Sequence, residues 1–201
     1  MSVRCAVLAG GQSSRFGGKP KGLVKVGGDR IVDRVVRTVE EATGSRPTLI
    51  ANASAASRWC PGLTVIPDVL TARGSLGGIY TAVTAGEGPV LVVAWDMPFV
   101  HVDLLRALVA GANDYDVYLP ESDGKRGLEP LCGVYGPRCA EAIRAQLDQE
   151  DYRATGFHDS VRVGTLALAE VAKFGDPETM FYNVNTAQEL AAAEAKWRQR
   201  G

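Results

Sequence analysis

Apolar runs of strand length alternate along the chain with stretches whose apolar positions recur at helical spacing. Val3 to Ala9 is an apolar run closed by Gly10-Gly11, which predicts a first strand. Ile31, Val32, Val35, Val36 and Val39 fall on one helical face, with Gly44 as the stop. Pro47 to Ala51 and Leu63 to Ile66 read as two further strands, the second closed by Pro67-Asp68. Gly77 to Ala85 predicts a helix ended by Gly86. Pro89 to Ala94 contains no polar side chain, the pattern of a strand covered on both faces of a parallel sheet. Val102 to Ala110 reads as a short helix, and Val117 to Leu119 and Glu129 to Tyr135 as strands. Arg138 to Leu147 and Ala187 to Trp197 are amphipathic helices, whereas residues 150 to 180 show no clear period.

That order predicts an α/β fold with a mostly parallel sheet covered by helices on both sides. A length of 201 residues leaves room for one domain over 1–201, and no repeat, linker or low-complexity stretch divides it. Hydrophobic residues at 46% and charged residues at 22% are ordinary for a globular chain. No apolar run approaches the ~20 residues that span a bilayer. The first residues read as a strand rather than a signal sequence, so the expectation is a cytoplasmic protein with no membrane partner. A net charge of -1 gives no general reason to expect nucleic acid.

Cys5, Cys60, Cys132 and Cys139 form no C-x-x-C pair, and His101 and His158 do not stand near them at zinc spacing. Reduced, mostly buried thiols are expected. Two histidines and no G-x-S-x-G turn argue against a serine hydrolase.

Charge is unevenly distributed. No acidic residue precedes Asp29, whereas Arg4, Arg15, Lys19, Lys21 and Lys25 do. After the first strand comes Gly10-Gly11-Gln12-Ser13-Ser14-Arg15-Phe16-Gly17-Gly18-Lys19-Pro20-Lys21. Glycines allow close backbone approach, and Arg15, Lys19 and Lys21 add positive charge, so the segment suits a nucleoside triphosphate. It is neither G-x-x-x-x-G-K-[ST] nor G-x-G-x-x-G. Asp96 lies two residues past the apolar strand ending at Ala94, at the carboxyl edge where α/β sheets bind ligands. It suits a Mg²⁺ ligand, since Mg²⁺ is held by one or two carboxylates plus substrate phosphates. Asp103 is the acidic residue better placed to serve the start of the next helix. Asp68 follows another strand in the same way, where a plain turn aspartate is the blander reading.

These segments resemble the α/β nucleotidyltransferases, and among them the molybdenum cofactor guanylyltransferases. The resemblance runs through Leu8-Ala9-Gly10-Gly11-x-Ser13-x-Arg15-x-Gly17 to Lys21, then Asp68 with Gly74-Ser75-Leu76-Gly77-Gly78-Ile79. It continues in Asp96-Met97-Pro98-Phe99, Glu129-Pro130-Leu131-Cys132-Gly133-Val134-Tyr135 and Phe181-Tyr182-Asn183-Val184-Asn185-Thr186. Ser75 stands where that family usually has Pro, and Trp95 where a small residue or Cys is common.

The resemblance implies a three-layer α/β/α sandwich with a Rossmann-like sheet of the nucleotide-diphospho-sugar transferase type. It also implies transfer of GMP from GTP to the terminal phosphate of molybdopterin carrying molybdenum, with Mg²⁺ as cofactor. By the same resemblance Arg15, Lys21 and Asp96 are catalytic. Leu8, Ala9, Gly10, Gly11, Ser13, Lys21, Asn52, Asp68, Gly77, Gly78 and Asp96 bind the nucleotide, and Asp96 holds the metal. Asn183 and Asn185 are acceptor or second-metal contacts, with a cap and turn before the last helix as the alternative. The lability of such a cofactor implies hand-off to other cofactor-biosynthesis or acceptor enzymes. Two alternatives stand beside this reading: a cytidylyl- or sugar-phosphate nucleotidyltransferase, and a catalytically silent nucleotide-binding protein.

Overall fold

A computed structural model describes residues 3–10, 20–124 and 127–200. The strands are β1 (Arg4–Leu8), β2 (Lys25–Val26), β3 (Asp29–Arg30), β4 (Thr48–Ile50), β5 (Val65–Ile66), β6 (Val90–Ala94), β7 (Val117–Pro120), β8 (Cys132–Tyr135) and β9 (Val163–Leu166). The helices are α1 (Ile31–Thr43), α2 (Gly74–Thr84), α3 (Val102–Gly111), α4 (Cys139–Asp148), α5 (Leu168–Val171), α6 (Pro177–Met180) and α7 (Ala187–Arg198).

Seven strands form one sheet in the order β5-β4-β1-β6-β8-β7-β9, and β2 and β3 pair as a separate hairpin. β1 runs parallel to both β4 and β6, β4 to β5, and β7 to β9; β8 alone runs against its neighbours. The sheet therefore has the mostly parallel character that the unbroken apolar β6 predicts.

Side-chain alternation builds two cores. Cys5 and Val7 of β1 and Leu91 and Val93 of β6 face a core shared with α1 and α3. Ala6, Leu8, Val90 and Val92 face the opposite core, shared with α2 and α4. Every residue of β6 is buried, which is why polar residues are missing from it.

α1 ends where Gly44 takes the left-handed conformation, φ 69°, and its N–H bonds the Glu40 carbonyl at 2.8 Å. β8 begins three residues later than the apolar run suggests. Pro130 has no N–H to give a ladder, and Glu129 instead closes a turn on Leu131 and Cys132. α3 is capped by His101, whose Nδ1 accepts from the Asp103 N–H at 3.2 Å. Asp103 itself lies in the first turn and pairs with Arg106 at 2.8 Å. The featureless stretch from 150 to 180 holds β9 and the short helices α5 and α6, each too brief to display a period.

Arg4, counted above among the early cations, sits at the opposite end of β1 from the glycine-rich loop. Its guanidinium donates to the carbonyls of Ala82, Val83, Glu87 and Gly88 at 2.9–3.2 Å, closing the end of α2. It takes no part in the cationic site.

Candidate active site

The carboxyl ends of β1, β4 and β6 open on a cleft of about 650 Å³, within the range of small-molecule sites. Leu8, Ala9 and Gly10 from β1, Asn52 after β4, Asp68 after β5, Gly78 of α2 and Asp96 after β6 all line it, together with Lys21. The parallel topology causes this convergence, because every loop leaving a parallel strand emerges at the same edge.

Asp96 is 4% exposed. Its carboxylate accepts a charge-assisted hydrogen bond from the Lys21 ammonium. The same ammonium donates to Asn185 Oδ1 at 2.7 Å. Each partner is delivered by local structure. Lys21 opens a 3-10 turn over Lys21–Leu23, closed by Leu23 N–H on the Pro20 carbonyl at 3.0 Å. Asp96 is anchored by its own carbonyl, which accepts from the Val184 N–H at 3.0 Å. Asn185 precedes α7; its N–H donates to Glu189 Oε2 at 2.6 Å, while Thr186 Oγ1 accepts from the Glu189 N–H at 3.1 Å. The cap of α7 is thus Thr186, which leaves the Asn185 side chain for Lys21. Asn183 donates to the Phe181 carbonyl at 2.9 Å within its own turn.

Asn52 and Asp68 form a reciprocal pair. Asn52 Nδ2 donates to Asp68 Oδ2 at 2.7 Å, and the Asp68 N–H donates to Asn52 Oδ1 at 2.8 Å. The pair ties the loops after β4 and β5 across one wall of the cleft. Gly78 presents its bare Cα to Leu8 and Asp68, with room for ordinary contact. Gly77 instead faces Arg73 and the Leu70 carbonyl, where a Cβ would come within 2.9 Å and 3.1 Å; it packs the first turn of α2 and does not line the cleft. The Ala9 N–H is bonded to the Ile50 carbonyl at 2.8 Å and the Leu8 carbonyl to the Trp95 N–H at 3.1 Å. Gly11, Ser13 and Arg15 lie outside the described residues.

Arg73 and Trp59 line the cleft without a signal in the sequence, and Ser75, marked there only as a departure from Pro, lines it too. Arg73 and Ser75 belong to the start of α2, which has no side-chain cap and no acidic residue in its first turn. Its first N–H groups form a positive end at the cleft. Arg73 also bonds the Tyr152 hydroxyl and lies over the Tyr152 ring at 5.1 Å. Trp59 lines the wall and stacks on Trp95 with ring centroids 5.0 Å apart. No spacing rule links positions 59 and 95; only the fold brings them together. Trp95 Nε1 is buried without a partner among the described residues.

The donor set suits a hard divalent cation. Asp96 and Asn185 offer a carboxylate and an amide oxygen already converging on a positive charge, that of Lys21. Among the described residues no three His, Cys, Asp or Glu side chains cluster to hold a metal ion. Mg²⁺ is commonly held by one or two carboxylates with substrate phosphates, a set to which Asp96 could contribute.

The family profile described as MobA-like NTP transferase domain matches residues 5–162. A molybdenum cofactor guanylyltransferase of Desulfosudis oleivorans is 32% identical over 196 residues, covering 96% of this chain and 95% of the relative. One from a Bradyrhizobium species is 33% identical, covering 94% of this chain and 90% of the relative. The crystal structure of molybdopterin-guanine dinucleotide biosynthesis protein A from Archaeoglobus fulgidus superposes with a TM-score of 0.80 at 25% identity. That superposition covers 98% of this chain and all of the other.

Proposed function

The chain belongs to the MobA-like NTP transferases, and on that premise we propose that it transfers GMP from GTP to the terminal phosphate of molybdopterin bearing molybdenum. The products are the guanine dinucleotide form of the cofactor and pyrophosphate. The observation that carries the reading is the meeting of Lys21, Asp96 and Asn185 at the rim of a cleft walled by β1, β4 and β6.

In this reaction a terminal phosphate oxygen of the acceptor attacks the α-phosphorus of GTP, and the bond from that phosphorus to the bridging β-oxygen breaks. No side chain need act as a base, because a phosphomonoester with a second pKa of about 6 is already ionised. That agrees with a cleft lined by no histidine. The barrier is the approach of two anions and the charge that builds on pyrophosphate, so positioning and electrostatics dominate. Lys21 neutralises the α-phosphate, turning from Asp96 toward it as the triphosphate arrives. The uncapped start of α2, at Arg73, Gly74 and Ser75, receives phosphate oxygens through its N–H groups. Arg15 remains the residue assigned to the β- and γ-phosphates. With the Ala9 N–H bonded in the sheet, reading of the base by β1 falls to the Ala9 carbonyl and Gly10. Asp96 and Asn185 would hold Mg²⁺, which when bound would offset charge on the phosphate oxygens.

No helix of the described residues is long and apolar enough to cross a membrane. We further propose that the reaction takes place in the cytoplasm, with hand-off of product to acceptor enzymes.

The test is pyrophosphate release by the purified protein with Mg²⁺, molybdenum cofactor and each of the four nucleoside triphosphates. Release with GTP, with a guanine dinucleotide product identified by mass, is the expected result. Turnover with CTP alone, or with a sugar phosphate in place of the cofactor, would replace this reading. No release with any combination would leave a silent nucleotide-binding protein.

A further inference from the structure

Trp95 is 2% exposed and immediately precedes Asp96. Its backbone N–H bonds the Leu8 carbonyl, so the residue is fixed to β1. Its ring stacks on Trp59 at an interplanar angle of 27°. The ring also meets the backbone of Gly22, the residue after Lys21. A Cβ on Gly22 would lie 2.3 Å from Trp95 Cε3 and 2.5 Å from Cδ2, closer than any side chain tolerates. The turn that carries Lys21 therefore rests directly on the indole. Among the described residues Nε1 has no hydrogen-bond partner, and the contacts that hold the indole are those with Trp59 and Gly22.

We propose that Trp95, braced by Trp59, is a positioning residue that sets the height of the Lys21–Leu23 turn and so places the Lys21 ammonium between Asp96 and Asn185. The inference rests on the transferase reading for its catalytic consequence, though not for its structural one. A smaller side chain at 95 leaves the turn without its floor, and Lys21 loses its place while remaining in the molecule. Trp59 then links the wall that carries Asn52 to the turn that carries Lys21.

The test combines Trp95→Ala and Trp95→Phe with Lys21→Ala, after thermal unfolding has established that each variant folds. Trp95→Ala should lower kcat about tenfold or more while KM for GTP changes less than about threefold, and Trp95→Phe should recover most of the loss. In the Lys21→Ala background, Trp95→Ala should cost less than about twofold further, because the residue acts through Lys21. A readout that needs no substrate accompanies this: reductive methylation of lysines, followed by peptide mass spectrometry. Lys21 should be protected in the parent protein and should react as readily as the exposed Lys25 in Trp95→Ala. Losses that multiply in the double variant, or a Lys21 equally protected with and without the indole, would overturn the proposal. Should Trp95→Ala fail to fold, Gly22→Ala drives a methyl group into the ring and lifts the turn from the other side; unchanged Lys21 protection there would likewise overturn it. A parent protein that releases no pyrophosphate defeats the transferase reading alone, and the methylation result still decides the positioning role.

Discussion

Lys21 and Asn185 stand 164 residues apart in the chain, and the ammonium of the first donates to the side-chain oxygen of the second at 2.7 Å. With Asp96 as its other partner, Lys21 gathers three elements with no sequence proximity: the turn after the glycine-rich loop, the end of β6 and the approach to α7. The closure is strong because Thr186 and Glu189 cap α7 and leave the Asn185 side chain uncommitted to the helix.

Lys21→Ala is expected to lower kcat by about 10²–10³, with a smaller effect on KM for GTP, as for loss of a charge contact made in the transition state. Asn185→Ala removes one of two acceptors and leaves Lys21 on Asp96, so a loss of about tenfold is expected. Steady-state pyrophosphate release measures both. Equal loss from the two variants would show that Asn185 does more than orient Lys21, as its proposed share in holding Mg²⁺ requires.

Asp96→Asn should abolish most turnover, again by about 10²–10³, and raise the Mg²⁺ concentration needed for the remainder. The fold should survive, because the bond from the Val184 N–H goes to the main-chain carbonyl of Asp96 and not to its carboxylate. The Lys21–Asp96 pair is largely buried, so weakening it costs stability as well, about 1–3 kcal/mol, with Asn185 and the new amide oxygen left as acceptors for Lys21. Near-normal turnover at saturating Mg²⁺ would remove Asp96 from the metal role.

The Asn52–Asp68 pair predicts a different kinetic signature. Asn52→Ala and Asp68→Ala each untie the loops that form one wall of the cleft, so KM for GTP should rise about tenfold with kcat much less affected. Since each residue holds the other, the double variant should be little worse than either single one. Additive losses would mean that the two side chains contact the nucleotide independently.

How much of this was legible in the sequence depends on range. The unbroken apolar run of β6, the 3.6-residue period of α1 and the glycine after it are local signals, and they placed those elements within a residue or two. Asp96 was visible because an acid just past a buried strand has nowhere to go but the sheet edge. Trp59 was not, because its meaning comes from Trp95, to which no periodicity connects it. Counted by charge alone, Arg4 belongs with the early cations, because one-dimensional counting cannot tell the two ends of a strand apart. Asp103 stands in the first turn of α3, where its position in the sequence puts it, while the cap itself is the ring nitrogen of His101, which no residue-type rule singles out.

All four cysteines are buried and unpaired. Burial pushes the Cys139 thiol up to about 12, with the nearby Asp116 charge adding to the effect, and raises those of Cys5, Cys60 and Cys132 as well. Little thiolate forms near neutral pH, and thiolate is the reactive species. The native protein should therefore react only slowly with a thiol-disulfide reagent, and four equivalents should react promptly once it is unfolded. Rapid labelling of a native thiol, read by peptide mass, would contradict the packing at that position.

The dependence of stability on pH separates two groups. His158 is half-buried, and its Nε2 has no partner among the described residues. Burial lowers its pKa, while Asp159 pulls weakly the other way. Above about pH 6.5 the imidazole is neutral in both folded and unfolded chains and adds no pH dependence. As pH falls through that value the unfolded chain takes up a proton that the folded one resists, so stability declines until the lowered folded pKa is reached. Asp176 behaves in the acid range. Hydrogen bonds from the Thr179 hydroxyl and N–H hold its carboxyl below the usual range, against a smaller effect of burial. Its contribution is present above about pH 4 and is lost as pH falls toward the folded value. Urea unfolding between pH 3 and pH 8 should thus show two declines. His158→Asn should flatten the upper one and leave the lower, whereas Asp176→Asn should lessen the lower one and leave the upper, the rest of the lower belonging to carboxylates such as Asp151, which hydrogen bonds from Arg153 hold at about 2. Because the groups lie in separate elements with no shared partner, the effects of the two substitutions should add in the double variant. An upper decline that persists in His158→Asn would assign it to another group and mean that the imidazole is not desolvated as its surroundings imply.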